Sequence, residues 1–251
     1  MGLAASGCAA RRVTLPSDTG APFPDFADAY RAVSASCAGV RTLTGELALA
    51  GRAGGRGIRG RAIVGFERPA SMRLEGVAPF GPPAFILAAR GGTAALLLPR
   101  DARVVRAERP EDILGALTGV ALSPADLQAV MTGCLVPDAT PLGGRLHQNG
   151  WVSIDLGGDA TMYIERAGAA WRTLAGRRPG WEVAYAAWEG AFPRIVRLRS
   201  RGSASVVDLT ATVAQLDTNV TLDPAAFSID VPPGTAELSL EELRAAGPLR
   251  N

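Results

Sequence analysis

The chain has 251 residues, of which 47% are hydrophobic, 6% aromatic and 20% charged, and its formal net charge is +2. This length and apolar content suit one large domain with its own core, and they exclude a mainly disordered chain. A net charge so close to zero argues against nucleic acid as the partner. The single histidine, His147, leaves little for metal binding or acid–base catalysis.

The start of the chain has the features of the end of a bacterial lipoprotein signal. Leu3 and the small residues at 4–7 precede Cys8, and small residues just before the cysteine are what the signal peptidase requires. On this interpretation Cys8 is the lipidation site, residues 1–24 are a truncated signal and a tether, and residues 25–251 form a single domain. Ala9 follows the cysteine in place of aspartate, which favours the outer membrane. A flexible N-terminus with a chance cysteine is the alternative.

Two further cysteines, Cys37 and Cys134, lie within the predicted domain. An exported protein folds in an oxidising compartment, where a pair of cysteines often forms a disulfide. A Cys37–Cys134 disulfide is therefore one expectation. Two buried free thiols are the other.

The first half of the domain is predicted to be a helix followed by strands. Apolar residues from Phe26 to Cys37 recur every three or four positions, which predicts a helix over 25–38. After Gly39 the apolar period becomes two, which predicts antiparallel strands with one buried face. We expect these strands near 43–49, 62–67, 71–78, 84–90, 93–98 and 102–107.

Two short helices are predicted in the middle of the chain. Residues 110–112 (Pro-Glu-Asp) are a helix start, because proline suits the first turn and acids suit the positive end of the helix dipole. Gly119 ends this helix, and a second begins near a capping box at 123–126 and ends at Gly133. The apolar residues of the two helices are Ile113, Leu114, Leu117, Leu127, Val130 and Met131.

Strands are predicted again in the second half of the domain. We place them near 145–148, 151–156, 160–166, 181–188, 194–200, 204–213 and 216–222. Residues 167–180, rich in alanine, glycine and arginine, are expected to be a turn or a short helix. Ser239 and Glu242 form a capping box for a last short helix. The predicted fold class is α+β, a curved antiparallel sheet (a half-open β-barrel) with an N-terminal helix and an inserted two-helix lid.

This architecture has an apolar interior that is either hollow or filled. A long sheet curls because its strands twist, and small residues on its inner face leave room for an apolar ligand. In the alternative, the two helices fill the space as ordinary core. If the interior is hollow, the lipid-binding residues are Leu47, Val64, Phe66, Leu74, Ile113, Leu114, Leu117, Leu127, Val130 and Met131.

Several strings, in this order, resemble a known family. A Pro-Phe-Gly loop (Pro79, Phe80, Gly81) follows the strand at 73–76, and the two helices come next. A Gly-Trp strand start at 150–151 or 180–181 and a Phe-Pro-Arg strand at 192–198 follow. In this order of elements, residues 25–222 resemble the outer-membrane lipoprotein receptor LolB, and more distantly its periplasmic carrier LolA. The chain departs from the receptor after residue 223, where it is closer to the carrier.

The resemblance implies an apolar cavity for the acyl chains of lipoproteins or for phospholipid, and a periplasmic carrier protein as partner. It also implies a membrane-contact loop at Pro79, Phe80 and Gly81; a loop folded onto the core is the alternative. The expected function is a lipoprotein, anchored at the periplasmic face of the bacterial outer membrane, that transfers acyl chains to that membrane. A relative with another lipid cargo remains open, as does a structural or regulatory lipoprotein that acts through protein contact.

No catalytic site, cofactor or metal is predicted. The glycine spacing at 55–60 matches a dinucleotide-binding pattern. That site requires a helix directly after the glycines, whereas a strand is expected here. His147 has no cysteine or histidine neighbour at metal-ligand spacing, and no serine lies in a nucleophile elbow. Arginines alternate with apolar residues at 194–201. We expect first that they form the solvent-exposed face of a strand, and the alternative is a surface for anionic lipids.

Overall fold

The computed structural model describes residues 13–53, 56–136, 138–202 and 207–246, so Cys8 lies outside the described residues. Four α-helices lie within these ranges. Their bounds are α1 Phe26–Ala38, α2 Pro110–Thr118, α3 Pro124–Met131 and α4 Leu240–Ala246. A short 3-10 helix spans Pro224–Phe227.

The same ranges contain strands of a single sheet. In chain order the strands are β1 Ala21–Pro22, β2 Thr42–Ala53, β3 Arg56–Glu67, β4 Ser71–Val77, β5 Phe85–Arg90, β6 Thr93–Leu98, β7 Arg103–Ala107, β8 Gly143–Leu146, β9 Val152–Asp155, β10 Thr161–Ala167, β11 Ala170–Arg178, β12 Trp181–Glu189, β13 Phe192–Ser200, β14 Asp208–Thr218 and β15 Ala236–Glu237.

The sheet is open and almost wholly antiparallel. Its order across the hydrogen-bonded ladder is β1-β8-β9-β10-β11-β12-β13-β14-β2-β3-β4-β5-β6-β7-β15. Strand β15 pairs with β7 in parallel, whereas the other pairs are antiparallel. The predicted open antiparallel sheet with a helix before it is therefore confirmed. The curling of the sheet and the role of α2 and α3 as a lid stay predictions.

The core lies on one face of the sheet, as the period of two predicts. On β3, Ala62, Val64 and Phe66 are buried. Arg61 and Ile63, which alternate with them along the strand, are exposed. Helix α1 contacts β8, β9 and β11, helix α2 contacts β6 and β7, and helix α3 contacts β13. One apolar cluster joins these helices to the inner face of strands from both halves of the sheet.

The prediction for residues 167–180 is wrong, because this segment is mostly strand. Ala170–Arg178 forms β11 and pairs with both β10 and β12. Its small residues are typical of a turn, but Thr173 and Ala175 alternate as buried positions. Turns are confined to the two ends of the segment, at Gly168 and Gly180, where φ is +64° and +83°. The two strands expected at 204–213 and 216–222 are instead the single strand β14, which has a register shift between Val213 and Gln215.

The C-terminal extension wraps one side of the sheet. The Arg73 guanidinium donates hydrogen bonds to the carbonyls of Ala226 and Ser228, at 2.9 and 3.1 Å, on the first part of this extension. The chain then pairs as β15 with β7 and ends in α4, which packs against α2. The predicted capping box at the start of α4 is present, since Ser239 and Glu242 bond each other's backbone N–H.

None of the described helices is long and apolar enough to cross a membrane.

Candidate functional site

The structure brings the ten predicted lipid-binding residues together in one apolar cluster, which α2 and α3 form with strands β2, β3 and β4. Eight of them are buried members of this cluster, and Leu74 and Leu127 are partly buried against it. The eight are Leu47, Val64, Phe66, Ile113, Leu114, Leu117, Val130 and Met131. Helix and sheet residues that are far apart in sequence therefore line one interior, which we call the apolar interior.

The apolar interior is filled by the protein's own side chains. Phe66 is 1% exposed and Ile113 is fully buried, so the helix side chains pack directly on the sheet. Three cavities at the surface of the described residues are lined by other side chains, none of them among the ten. Of the two alternatives, the structure adopts the one in which the helices fill the space. Hydrocarbon can enter only where α2 and α3, the helix pair, move away from the sheet.

The end of α3 is fastened to α1 and to the sheet. Cys134, just after α3, forms a disulfide with Cys37 near the end of α1, and their Cα atoms are 6.4 Å apart. The Tyr185 hydroxyl donates to the Cys134 carbonyl at 3.1 Å, and the Tyr30 hydroxyl donates to the Val136 carbonyl. Burial raises the pKa of Tyr185, so its hydroxyl stays a neutral donor. This end of the helix pair is its base.

The junction between α2 and α3 lies at the opposite end, which we call the tip. Gly119 ends α2 in the left-handed conformation at φ +80°, a conformation that glycine adopts without strain. Asp126 then completes a capping box with Ser123 and also accepts a hydrogen bond from the Arg178 guanidinium, at 2.5 Å. The side chains of Asp126 and Arg178 are 21% and 30% exposed. One partly buried ion pair therefore holds the tip to the end of β11.

The tip lies at the same end of the sheet as the predicted membrane-contact loop. We call this the loop end: β4 ends there at Val77, the turn at 99–102 follows β6 there, and Arg178 is the last residue of β11. Phe80 is 88% exposed, so its side chain is not folded onto the core. The Arg100 guanidinium donates to the Phe80 carbonyl at 2.9 Å. The loop thus presents an apolar side chain and an arginine together.

A polar cluster surrounds His147, the single histidine, for which the sequence predicts no metal site. Its Nδ1 lies 3.1 Å from an Asp18 carboxylate oxygen, and its Nε2 lies 2.8 Å from the Ser153 hydroxyl. Although desolvation opposes the charge of Asp18, the Gln148 N–H and His147 hold the pKa of this carboxyl below its usual value. Ser153 lies within β9 and is paired on both sides, with Arg145 and Tyr163. The network therefore fastens the segment before α1 to the sheet.

The alternating arginines of β13 are mostly neutralised by carboxylates. Arg194 pairs with Glu189 at 2.6 Å, and Arg197 forms a two-pronged pair with Asp208 at 2.5 and 2.6 Å. Arg199 lies 3.5 Å from the same Asp208. These contacts fit the solvated strand face that the sequence predicts first.

No group of three or more metal-ligating side chains gathers anywhere in the part of the chain that the structure describes. No protein-family model matches the chain, and no curated protein matches its sequence.

Solved structures do match the fold. A DUF1329 family protein from Desulfovibrio piger is 12% identical, covers 80% of this chain and 96% of its own, and has a TM-score of 0.52. A LolA superfamily protein from Nitrosomonas europaea is 9% identical, with coverage of 80% and 98% and a TM-score of 0.49. An outer membrane lipoprotein-sorting protein domain from Vibrio parahaemolyticus is 9% identical, with coverage of 81% and 94% and a TM-score of 0.49. At these identities the likeness concerns the fold alone, which this chain shares with the DUF1329 family protein.

Proposed function

We propose that this protein is an envelope lipoprotein that binds acyl chains of lipoproteins or phospholipid in the apolar interior and transfers them to the outer membrane. Acyl groups on Cys8 anchor it to the periplasmic face of that membrane, and a periplasmic carrier supplies the cargo. The helix pair opens at its tip while its base stays fastened. A ligand moves along such a route only if each site binds it more tightly than the site before it.

The observation that carries this proposal is the unequal fastening of the helix pair over a wholly apolar interior. A disulfide and two tyrosine hydrogen bonds hold the base, whereas the Asp126–Arg178 pair holds the tip. A hinged motion therefore exposes the interior at the loop end, next to Phe80.

The energies of the closed and the occupied states are similar. Opening exposes five buried helix side chains, each of which contributes about 1.5–3 kcal/mol when buried. These side chains are Ile113, Leu114, Leu117, Val130 and Met131. An acyl chain that takes their place gains about 0.8 kcal/mol per methylene, so a chain of about fifteen methylenes offsets most of that loss. The interior therefore stays closed without a ligand and exchanges helix side chains for hydrocarbon when one is present.

The Asp126→Asn variant tests this opening. We expect it to bind a fluorescent sixteen-carbon fatty-acid probe roughly two- to fivefold more tightly, because a partly exposed ion pair contributes about 0.5–1 kcal/mol to the closed state. Asparagine keeps a side-chain oxygen for the helix cap, so α3 itself is preserved. Probe fluorescence titration gives the dissociation constants.

A double-mutant cycle provides the control for this variant. Arg178→Gln removes the same ion pair from the other side, so it should act like Asp126→Asn, and the double variant should add little. Arg194→Gln breaks the Arg194–Glu189 pair elsewhere and should leave probe binding unchanged. If neither the wild type nor the tip variants bind the probe, acyl binding in the interior is refuted.

The Phe80→Glu variant tests the loop. We expect binding to phospholipid vesicles to fall roughly 10- to 100-fold, since insertion of one large apolar side chain contributes about 1.5–3 kcal/mol. Vesicle flotation measures this loss, and Phe80→Leu should retain binding. Thermal stability should hardly change, because Phe80 is 88% exposed. A large fall in melting temperature would instead assign Phe80 to the fold.

The filled interior favours a second candidate, a structural or regulatory envelope lipoprotein that keeps this fold and acts through protein contact. On that proposal the helix pair never leaves the sheet. Cross-linking in the envelope would then capture one stoichiometric protein partner, and the purified chain would carry no lipid.

A further inference from the structure

An exposed apolar patch lies on the outer face of the sheet at the loop end. Ile63 is 51% exposed, Val77 is 37% exposed, and Phe80 follows in the next loop. Val77 pairs with Arg61 on β3, two residues from Ile63, so Ile63 and Val77 are diagonal neighbours on adjacent strands. These three residues, which we call the outer patch, are exposed apolar side chains at the end of the sheet where the tip of the helix pair also lies.

Four exposed arginines lie at the same end of the sheet as the outer patch. Arg59 lies on β3 beyond the point where β4 ends, and Arg52 lies on the facing strand β2. Arg100 bonds the Phe80 loop, and Arg201 follows β13, two strands from β2. Among the described residues, none of these four arginines has a carboxylate within ion-pair distance.

Three other arginines at the loop end are paired with carboxylates, in contrast to these four. Arg61, Arg178 and Arg199 each lie against a carboxylate, those of Glu46, Asp126 and Glu182. Their charges are largely neutralised within the protein. Arg52, Arg59, Arg100 and Arg201 are therefore exposed positive charges at the loop end that no carboxylate of the described residues pairs with.

We propose that the outer patch and Arg52, Arg59, Arg100 and Arg201 form a docking surface for anionic phospholipid headgroups. The inference rests on the proposed function and adds to it the lipid class that the surface selects. The Phe80 side chain enters the bilayer surface while the guanidinium groups bind lipid phosphates, for which their planar donor geometry is suited. Docking in this orientation places the tip of the helix pair at the membrane, where a released acyl chain enters the lipid directly.

A protein partner fits these features less well than a bilayer does. The apolar area is three side chains, one of them at the end of a loop, which is small for the buried centre of a stable protein interface. Unpaired arginines around a protruding aromatic residue match the layered chemistry of a bilayer, with charge at the surface and hydrocarbon below.

The test uses the full chain with Cys8→Ala, so that no acyl anchor contributes to binding. Vesicles of phosphatidylcholine alone are compared with vesicles in which part of it is replaced by phosphatidylglycerol. We expect tighter binding to the anionic vesicles, and weaker binding at higher salt because the charges are screened. Replacement of Arg52, Arg59 and Arg201 by glutamine should weaken this binding on the order of 100-fold, since each arginine near an anionic surface contributes roughly fivefold. Arg100 is kept because it bonds the Phe80 loop.

A matched variant removes three exposed arginines from the opposite end of the sheet, namely Arg41, Arg90 and Arg166, which likewise have no carboxylate of the described residues within ion-pair distance. It loses the same net charge, and we expect it to keep most of its affinity for anionic vesicles. Equal binding to the two kinds of vesicle, or an equal loss in the two triple variants, would overturn the inference. Fatty-acid probe binding in the same samples tests the proposed function separately, because that measurement depends on the interior and not on the docking arginines.

Discussion

Replacement of both Cys37 and Cys134 by alanine is expected to lower the free energy of unfolding by about 4–5 kcal/mol. The disulfide closes a loop across a sequence separation of 97 residues, so without it the unfolded chain gains a large conformational freedom. Urea unfolding of the wild type and the double variant gives the difference. Loss of the base fastening should also raise the affinity for the fatty-acid probe, because the covalent cross-link between α1 and the end of α3 is then lost and noncovalent contacts remain, such as those of the two tyrosines, Gln128 and Asp126.

Reduction of the wild type provides the control for this prediction. A reducing agent should destabilise the wild type by a similar amount and leave the double variant unchanged. Equal stability of the oxidised wild type and the double variant would contradict the entropic argument. A probe affinity that stays constant while the stability falls would show that the base is not the hinge of the helix pair.

Local sequence signals predicted most elements of the fold. The helix expected at 25–38 is Phe26–Ala38, and the helix expected from Pro110 ends, as predicted, before Gly119. These signals are caps, breakers and apolar periods, which act within a few residues of the chain. The same periods placed the ten interior residues on one face, so the composition of the candidate site could also be predicted.

The state of the interior could not be predicted, because it depends on distances between elements that are far apart in sequence. Whether Phe66 on β3 meets Ile113 on α2 is decided by how closely the helix pair approaches the sheet, which no local pattern encodes. The tyrosine hydrogen bonds and the Asp18–His147 contact were missed for the same reason, whereas the Cys37–Cys134 disulfide was one of the two expectations from the sequence. Tyr30 lies 106 residues from Val136, Tyr185 lies 51 from Cys134, and Asp18 lies 129 from His147.

A filled interior and a lipid-binding function are compatible only if hydrocarbon can replace the contacts between the helix pair and the sheet. The core of an ordinary domain has no such requirement, since its side chains stay in contact throughout. The two cases therefore differ in how the protein responds to a cavity made in the apolar interior. Phe66, on β3, belongs to the apolar cluster that forms this interior.

The Phe66→Ala variant is expected to lose about 3–5 kcal/mol of unfolding free energy, because a fully buried aromatic side chain is replaced by a cavity. The matched control is Ile63→Ala on the opposite face of the same strand, which should change stability by less than about 0.5 kcal/mol since Ile63 is 51% exposed. Denaturant unfolding measures both values.

Addition of an acyl ligand separates the two interpretations of the interior. If hydrocarbon replaces the helix contacts, the fatty-acid probe should bind Phe66→Ala more tightly than wild type and restore part of the lost stability, because a ligand that binds only the folded state stabilises it by mass action. Ile63→Ala should show neither effect. A destabilised Phe66→Ala protein that gains nothing from the probe would mean that the interior is closed core, and the protein-contact function would then be the one to pursue.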